Sequence, residues 1–471
     1  QQAASLASAL SVPLTGGRPG PGRVGLAGDA GTVGALAAAD LDGDGTLEVL
    51  AAARAFPVAY PAAPASRIFR RAADGWQVDD ELSQPLAGAG RVSGAVFTDL
   101  DGDGDADLAL ATDWGPVRIY RNHLGRLSDV TGEMGLGALT GRWNGINAGD
   151  FDGDGRMDLV VTGWGRNTRH RPTPERPLRL YWGDFDGNGV LDMLEAMPDP
   201  ETGADRPETE FSLLSTHLPY VRVERIRTFQ DFADATVVET LGEAAVRDAR
   251  VEEVVTLDHY LLLNRGDEFD ARPLPLESQL APAFHPAIAD FDGDGLEDVF
   301  LAQNFFPNEV NLQRYAAGRG LLLRGDGEGG LTPVDGAESG IRVYGDQRGA
   351  AVADVDGDAR VDLAISQNGA ATVLLLNRNA EPGLRVRISG PPANPRAAGA
   401  RLRVAYADGT FGPAREIHLG HGYWSVDGAV PVLGLAAEPR AVEVRWPDGE
   451  VVEIAVPSGA REVTASWGGA S

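Results

Sequence analysis

The chain contains no cysteine, so neither disulfides nor thiolate metal sites can contribute to it. It contains no lysine either, and all 41 basic residues are arginine. No apolar run reaches the roughly eighteen residues that a membrane-spanning helix needs. No G-x-S-x-G elbow, phosphate loop, H-E-x-x-H helix or dinucleotide fingerprint is present, so the common catalytic signatures are missing. No basic segment followed by an apolar one opens the chain. "QQAASLASAL" reads as the start of a mature or trimmed chain, from which any export signal would already be gone. Positive charge is scarce as well: 69 acidic residues leave a net charge of −28. Such a surface repels nucleic acid and anionic membranes and attracts cations.

What the chain does have is one acidic motif written six times: DLDGDGTLE (40–48), DLDGDGDAD (99–107), DFDGDGRMD (150–158), DFDGNGVLD (184–192), DFDGDGLED (290–298) and DVDGDARVD (354–362). Position 1 is Asp40, Asp99, Asp150, Asp184, Asp290 and Asp354. Position 3 is Asp42, Asp101, Asp152, Asp186, Asp292 and Asp356. Position 5 is Asp44, Asp103, Asp154, Asn188, Asp294 and Asp358. Position 9 is Glu48, Asp107, Asp158, Asp192, Asp298 and Asp362. This is the donor set of a Ca²⁺ site, a hard cation taking six to eight oxygens. The backbone carbonyls of position 7 (Thr46, Asp105, Arg156, Val190, Leu296 and Arg360) would add a fifth donor. Glycine between the donors lets the backbone coil tightly enough to bring them together. Mg²⁺ demands stricter octahedral geometry and is the poorer fit. Up to six Ca²⁺ are expected, one per loop. At positions 1, 3, 5 and 9 the six loops place 23 acids among 24 residues. Like charges a few ångströms apart cost about 1 kcal/mol per pair even in water.

The loops are not EF-hands, which require Glu at position 12 and a following helix. Position 12 here is Ala51, Leu110, Val161, Glu195, Leu301 and Ile365, and the flanks read as strands. Each ion would tie two strands of a hairpin. A second strand–turn–strand pattern follows most loops, as in "VRIYRNHLGRLSDVT" and "HYLLLNRGDEFDARPL". Two such hairpins make a four-stranded propeller blade. The expected fold is therefore all-β: a seven-bladed or, alternatively, six-bladed calcium-binding β-propeller over 25–381, behind an N-terminal segment 1–24. The long stretch between the fourth and fifth loops carries a helical insertion at about 207–250, with Ile226, Phe229, Ala233, Val237 and Leu241 at helical spacing and Gly242 as the stop. From 382 to 471 the texture changes to alternating strands without calcium loops, a separate small β domain.

The loops resemble FG-GAP/VCBS repeats, also found in integrin α-subunit propellers. "NPRAAGARLRV" (394–404), "HLGHGYWSV" (418–426), "LGL" (433–435) and "VEVRWPDG" (442–449) resemble the ASPIC/UnbV domain. Together they resemble the cartilage acidic protein 1 family and its bacterial relatives. That resemblance implies bound calcium and a secreted or periplasmic location, and it implies no settled activity. His421 and the pair Ser425–Val426 depart from the pattern.

With the calcium loops on one rim, the opposite mouth is built from residues before first strands and after second strands: Asp113, Trp114, Arg142, Trp143, Asn144, Trp164, Arg166, His285, Gln303, Asn304, Arg348, Gln367 and Asn368. Indoles, amides and guanidinium groups suit a small polar molecule, a glycan or a protein segment. Two functions follow: an exported, calcium-stabilised binding module, or an enzyme of lyase, cyclase or hydrolase type with its site in the mouth and calcium purely structural. A third possibility is a scaffold that only positions the C-terminal domain. A deep mouth with a carboxyl or His would favour the enzyme, and a shallow one the binding module.

Overall fold

A computed structural model describes residues 31–57, 59–73, 75–307 and 313–468, with the backbone alone of short strands between residues 7 and 27. The expected N-terminal segment 1–24 lies for the most part outside the described residues. The chain is mostly β-sheet with a few short helices, and no helix is long and apolar enough to cross a membrane.

Five antiparallel sheets follow one another. The first is Thr32–Ala39, Glu48–Ala55, Arg67–Ala72 and Gly75–Asp79; the second is Arg91–Thr98, Asp107–Pro116, Arg118–Asn122 and Leu127–Asp129, with Thr140–Arg142 added beside its second strand. The third is Gly145–Gly149, Asp158–Thr162, Tyr260–Asn264 and Phe269–Pro273. The fourth is Ala283–Ala289, Asp298–Gln303, Leu321–Gly325 and Leu331–Pro333; the fifth is Asp346–Ala353, Asp362–Asn368 and Val373–Leu375. The inner strand of each sheet packs on the inner strand of the next. These inner strands are small-residue and apolar, and the second and fourth are buried along their whole length. Where the sequence read Leu110, Val161, Leu301 and Ile365 as non-ligands at position 12, all four are fully buried in second strands.

The spacing predicted seven sheets, or six. The long stretch between the fourth and fifth loops adds no sheet to the succession. It interrupts the third sheet between its second and third strands, which pair across the gap (Leu159 with Leu262). The inserted chain forms its own sheet, Leu178–Gly183, Asp192–Pro198, Asp205–Pro207 and Arg250–Val254, and carries the fourth acidic loop away from the other five. The expected single helix is broken in two. Thr228 caps Phe229–Asp234, and Thr236 with Glu239 forms a capping box that starts Val237–Leu241. Ala235 between them is extended, and Gly242 ends the second piece as expected.

The C-terminal strands form two sheets over one core. One is Val432–Leu433, Leu384–Ser389 and Glu462–Ser466, the last two parallel; the other is Arg415–Glu416, Arg401–Tyr406, Pro439–Arg445 and Val451–Ala455. Trp446, of the Arg-Trp-Pro-Asp-Gly turn, is 1 % exposed and meets Trp467 edge-on. This unit is not set apart from the sheets before it. It sends a hairpin, 418–428, among the inner strands of all five. Ala38 donates to the Leu419 carbonyl, and Gly422 to Ile146. Trp424 Nε1 donates to Ser93, and Tyr423 N to His285 Nδ1. On the return, Val352 donates to Asp427 and Gly428 to Val352. His421 and Ser425 pair across the hairpin, so Gly422, Tyr423 and Trp424 are its apex. The approach is close enough to require glycine: a Cβ on Gly420 would lie 2.1 Å from the Leu36 carbonyl oxygen, and one on Gly422 would lie 2.1 Å from His285 Nδ1.

Candidate functional site: acidic loops and the opposite mouth

All six acidic loops fold alike. The residue before position 1 pairs with position 9, as in Ala39–Glu48, Thr98–Asp107 and Gly149–Asp158. The position-9 carboxylate accepts the N–H of position 2 at 2.8–3.0 Å in every copy. The position-5 side chain accepts the N–H of position 7 at 2.7–3.0 Å. Gly43 and Gly45 take positive φ, and Ala359 adopts the same left-handed turn (φ 65°) where the last copy lacks glycine.

These turns converge carboxylates at positions 1, 3 and 9. In the loops starting at 40, 99, 150 and 184, one oxygen from each of the three lies within 4.8 Å of the others, a spacing that can hold a metal ion. Position 5 turns back onto its own loop. The donor oxygens fit a cation for a further reason: Glu48 Oε1, Asp150 Oδ1 and Asp152 Oδ1 are buried and accept no hydrogen bond. Hard-oxygen donors of this kind suit Ca²⁺. Burial, with help from neighbouring carboxylates, pushes Asp107 and Asp298 up to about 8. The same causes push Glu48 and Asp158 up to about 7, and Asp150 and Asp290 up to about 6.

Two recurring partners escaped the sequence reading. The position-3 aspartates meet arginines in or just after the third strand of their own sheet: Arg70–Asp42 at 2.9 Å, Arg121–Asp101 at 3.4 Å, Arg265–Asp152 at 2.6 Å, Arg324–Asp292 at 2.5 Å and Arg378–Asp356 at 2.7 Å. Part of the acid is thus already balanced. An asparagine at the end of the third strand then ties loop to loop. Asn122, Asn264 and Asn377 each donate a backbone N–H to the position-9 carboxylate of their own sheet. Their side-chain amides reach the position-2 carbonyls of the preceding sheet: Leu41, Leu100 and Phe291. The signal was visible as Asn-His, Asn-Arg and Asn-Arg after an apolar strand, but a turn-favouring residue at a turn carries little information alone.

The C-terminal domain lies against this acidic end. Ala414 N donates to Asp150, Arg385 pairs with Asp354 at 2.8 Å and Arg445 with Asp99 at 3.2 Å. A cavity of about 70 Å³ sits here, between Asn147, Ile288 and Val352 on one side and Arg415, Glu416 and His418 on the other. Its charges are spoken for. Arg415 pairs with Glu297, and Glu416 accepts from Thr98 Oγ1 and the Asp99 N–H.

At the other end of the inner strands, the thirteen residues expected at the mouth divide. Asp113, Trp114, Arg142, Trp164 and Arg348 come together there. The Arg142 guanidinium lies 5.1 Å from the ring centroids of both Trp114 and Trp164 and 2.9 Å from Asp113. Burial would raise the Asp113 carboxyl, but Arg142 overrides it and holds it below the usual range. Arg348 covers Phe284 at 4.0 Å and pairs with Asp346. Trp143 and Asn144 instead turn inward, Trp143 fully buried against Tyr260 and Asn144 donating to the Gly163 and Ala283 carbonyls. His285, Gln303 and Asn304 are buried too, and Asn304 bridges to Gly318 and Gly345. Arg166 pairs with Asp258, Gln367 closes its own turn onto Ala371, and Asn368 reaches Asp346.

The sequence missed the centre of this end. The hairpin apex presents Tyr423 and Trp424, stacked at 4.7 Å and 10°, with the Arg54 guanidinium 5.9 Å from each ring. Tyr423 meets Phe284, Phe284 meets Phe305, Phe305 meets Trp164, and Trp164 meets Arg142. The rings and arginines thus run continuously from Arg54 round to Asp113, whose carboxyl also senses Arg54. His421, the departure noted above, lies 3 % exposed below the apex and pairs with Asp427 at 3.2 Å across the hairpin. Burial first, and then His421, hold His285 down at about 3, so it is neutral and its Nδ1 can accept the Tyr423 N–H.

Three comparisons bear on this arrangement. Among family profiles, the FG-GAP-like repeat matches residues 99–161 and 290–365, and ASPIC and UnbV matches 390–471. No curated protein matches the chain. Among solved structures, similarity is found to the rhamnogalacturonan lyase YesW (13 % identity, 96 % of this chain and 79 % of that one, TM-score 0.31). It is also found to the V. cholerae biofilm matrix protein Bap1 (12 % identity, 90 % and 73 %, TM-score 0.25). Overlap that low carries no argument about either fold or activity. The profile matches fall on the second and third acidic loops, on the fifth and sixth, and on the domain that supplies the hairpin: this is a chain of FG-GAP-like repeats ending in an ASPIC and UnbV domain.

Proposed function

We propose that the protein is an exported, calcium-stabilised β-propeller that binds its partner through the mouth opposite the acidic loops. Positions 1, 3 and 9 of each loop would hold Ca²⁺, with the position-7 carbonyl as a further donor. The ion would neutralise the buried carboxylates that otherwise have to take up protons. Asn122, Asn264 and Asn377 would carry that order from each loop to its neighbour.

One observation carries the binding reading. The hairpin 418–428 fills the space among the inner strands and delivers two aromatic rings to its mouth end. A filled axis leaves a shallow face of rings and guanidinium groups, which suits capture more than a sealed reaction chamber. The test uses the calcium-loaded full chain. Its tryptophan fluorescence is followed against panels of glycans, peptides and small polar metabolites, beside a variant with Trp424→Ala and Arg142→Gln. Ligands bound unchanged and lost in the variant support the reading. A ligand returned chemically altered would favour the enzyme instead, and undiminished binding by the variant would move the site elsewhere.

A further inference from the structure

Two tryptophans at this end sit on strained backbone. Among the described residues six non-glycines have positive φ, and two of them are Trp114 (62°), buried beside Arg142, and Trp424 (56°), exposed at the hairpin apex. A bulky side chain in this region is disfavoured by about 1–2 kcal/mol, and such positions persist where the surroundings impose them. At Trp424 glycine would serve the turn better, yet the residue is tryptophan. Its indole is pinned by the bond to Ser93 while 51 % of the residue stays exposed. A large apolar ring held rigid, in a strained turn, and left in water is poor for stability and well suited to a contact.

Chemistry around the ring narrows what it would touch. Arg54 donates one hydrogen bond, to the Tyr423 hydroxyl, and has no carboxylate within ion-pair distance among the described residues. Arg142, Arg348 and Arg91 at this end are each neutralised, by Asp113, Asp346 and Glu252. Arg54 is therefore an available positive charge beside an exposed aromatic face, on a protein of net charge −28. A planar guanidinium takes a carboxylate or sulfate in a two-pronged bond, while the flat ring accepts the C–H face of a sugar. Tyr60, whose hydroxyl donates to Asp113 at 3.2 Å, lies on the same side.

We propose that the mouth binds an acidic saccharide, its ring stacked on Trp424 and its carboxylate or sulfate held by Arg54. This rests on the mouth being the binding face. It also gives the C-terminal domain a role: the repeats supply the rim of the site and the hairpin supplies its floor.

The test measures calorimetric binding of two matched hexasaccharides to the calcium-loaded full chain. One alternates glucuronate and N-acetylglucosamine, and the other is N-acetylglucosamine throughout. The acidic hexamer should bind at least about tenfold more tightly. Trp424→Ala should weaken it by about tenfold or more, as loss of a central aromatic anchor does. Arg54→Gln should erase the preference for the acidic hexamer while Arg54→Lys keeps part of it. Each variant's calcium-dependent melting serves as the folding control. Equal affinity for both hexamers, or an Arg54→Gln variant that retains the preference, would overturn the assignment of charge. If neither hexamer binds but another ligand does and is lost in Trp424→Ala, the saccharide class falls and the mouth stands. If Trp424→Ala changes no binding at all, both fall.

Discussion

The two ends of the inner strands are built on opposite plans. The acidic end repeats one solution five times: a backbone-locked turn bearing acids at positions 1, 3 and 9, with an arginine against position 3. The mouth repeats nothing. Its rings come from the second and fourth sheets, from the loops after Thr162 and Gln303, and from a hairpin whose sequence lies more than a hundred residues further on. One end clusters carboxylates and sets arginines against them, while the other holds an exposed tryptophan in a strained turn. Removing what each end holds should therefore have opposite consequences.

The largest effect should come from withdrawing calcium. A ligand that binds only the folded state at a hundred times its Kd adds about 2.7 kcal/mol per site. Several such sites acting together should move the melting temperature by on the order of 10–20 °C between excess calcium and excess EDTA. An unchanged melting curve would mean that the arginines suffice as counter-charges and that the loops are turns only.

The hairpin should come next. Gly422→Ala places a methyl where His285 Nδ1 now lies, at φ 60°. It should cost roughly 2–4 kcal/mol by denaturant unfolding. Gly187→Ala, in the loop carried by the inserted sheet, has a similar φ of 74° but nothing within 4 Å, and it should cost only the backbone strain. Equal losses would show that the hairpin is not wedged among the inner strands.

A smaller effect separates proton from metal. Asp107, Asp158, Asp298 and Glu48 have folded values raised to about 7–8 by burial. In EDTA the folded chain therefore binds more protons than the unfolded chain between about pH 4 and 8, and stability should fall as pH rises through that window. Calcium takes the place of those protons, so in excess calcium the slope should flatten, since above pH 5.5 the carboxylates are then ionised in both the folded and the unfolded chain. Melting at pH 5.5 and 8.0, with and without EDTA, reads the fall and its loss. Parallel slopes would show that these carboxylates are not where the ion sits.

Legibility in the sequence follows the same division. The loops, their register and the all-β class could be read because a single physical demand was stated six times, and each copy corrected the reading of the others. Asn122, Asn264 and Asn377 were overlooked because one asparagine at a turn is unremarkable until its amide is seen reaching the neighbouring sheet. The place of the inserted sheet escaped the sequence for a topological reason. Spacing along the chain cannot tell an added sheet from one inserted into the third. At the mouth, Trp114, Trp164 and Arg142 could be found from their place beside strands. Tyr423 and Trp424 could not, because only the path of the hairpin brings a C-terminal turn to the far end of the repeats. His421, which broke the expected pattern, is explained only once Asp427 is seen across that hairpin.

Trp424→Gly gives the most discriminating contrast with the acidic end, and its effect on stability should be the smallest. The substitution loses stacking on Tyr423, the contact with Arg54 and one hydrogen bond to Ser93, each worth about 1 kcal/mol or less at a half-exposed site. It also relieves a left-handed tryptophan, which returns about 1–2 kcal/mol. These terms oppose each other, so the melting temperature in calcium should stay within a few degrees of the parent while mouth binding disappears. A variant that melts as the parent does but no longer captures its ligand is the signature of a residue kept for contact. A drop of more than about 2 kcal/mol would instead make the indole a structural peg holding the hairpin to Ser93, since that exceeds what strain relief leaves uncovered. The mouth would then obey the same rule as the acidic loops, and the distinction between the two ends would collapse.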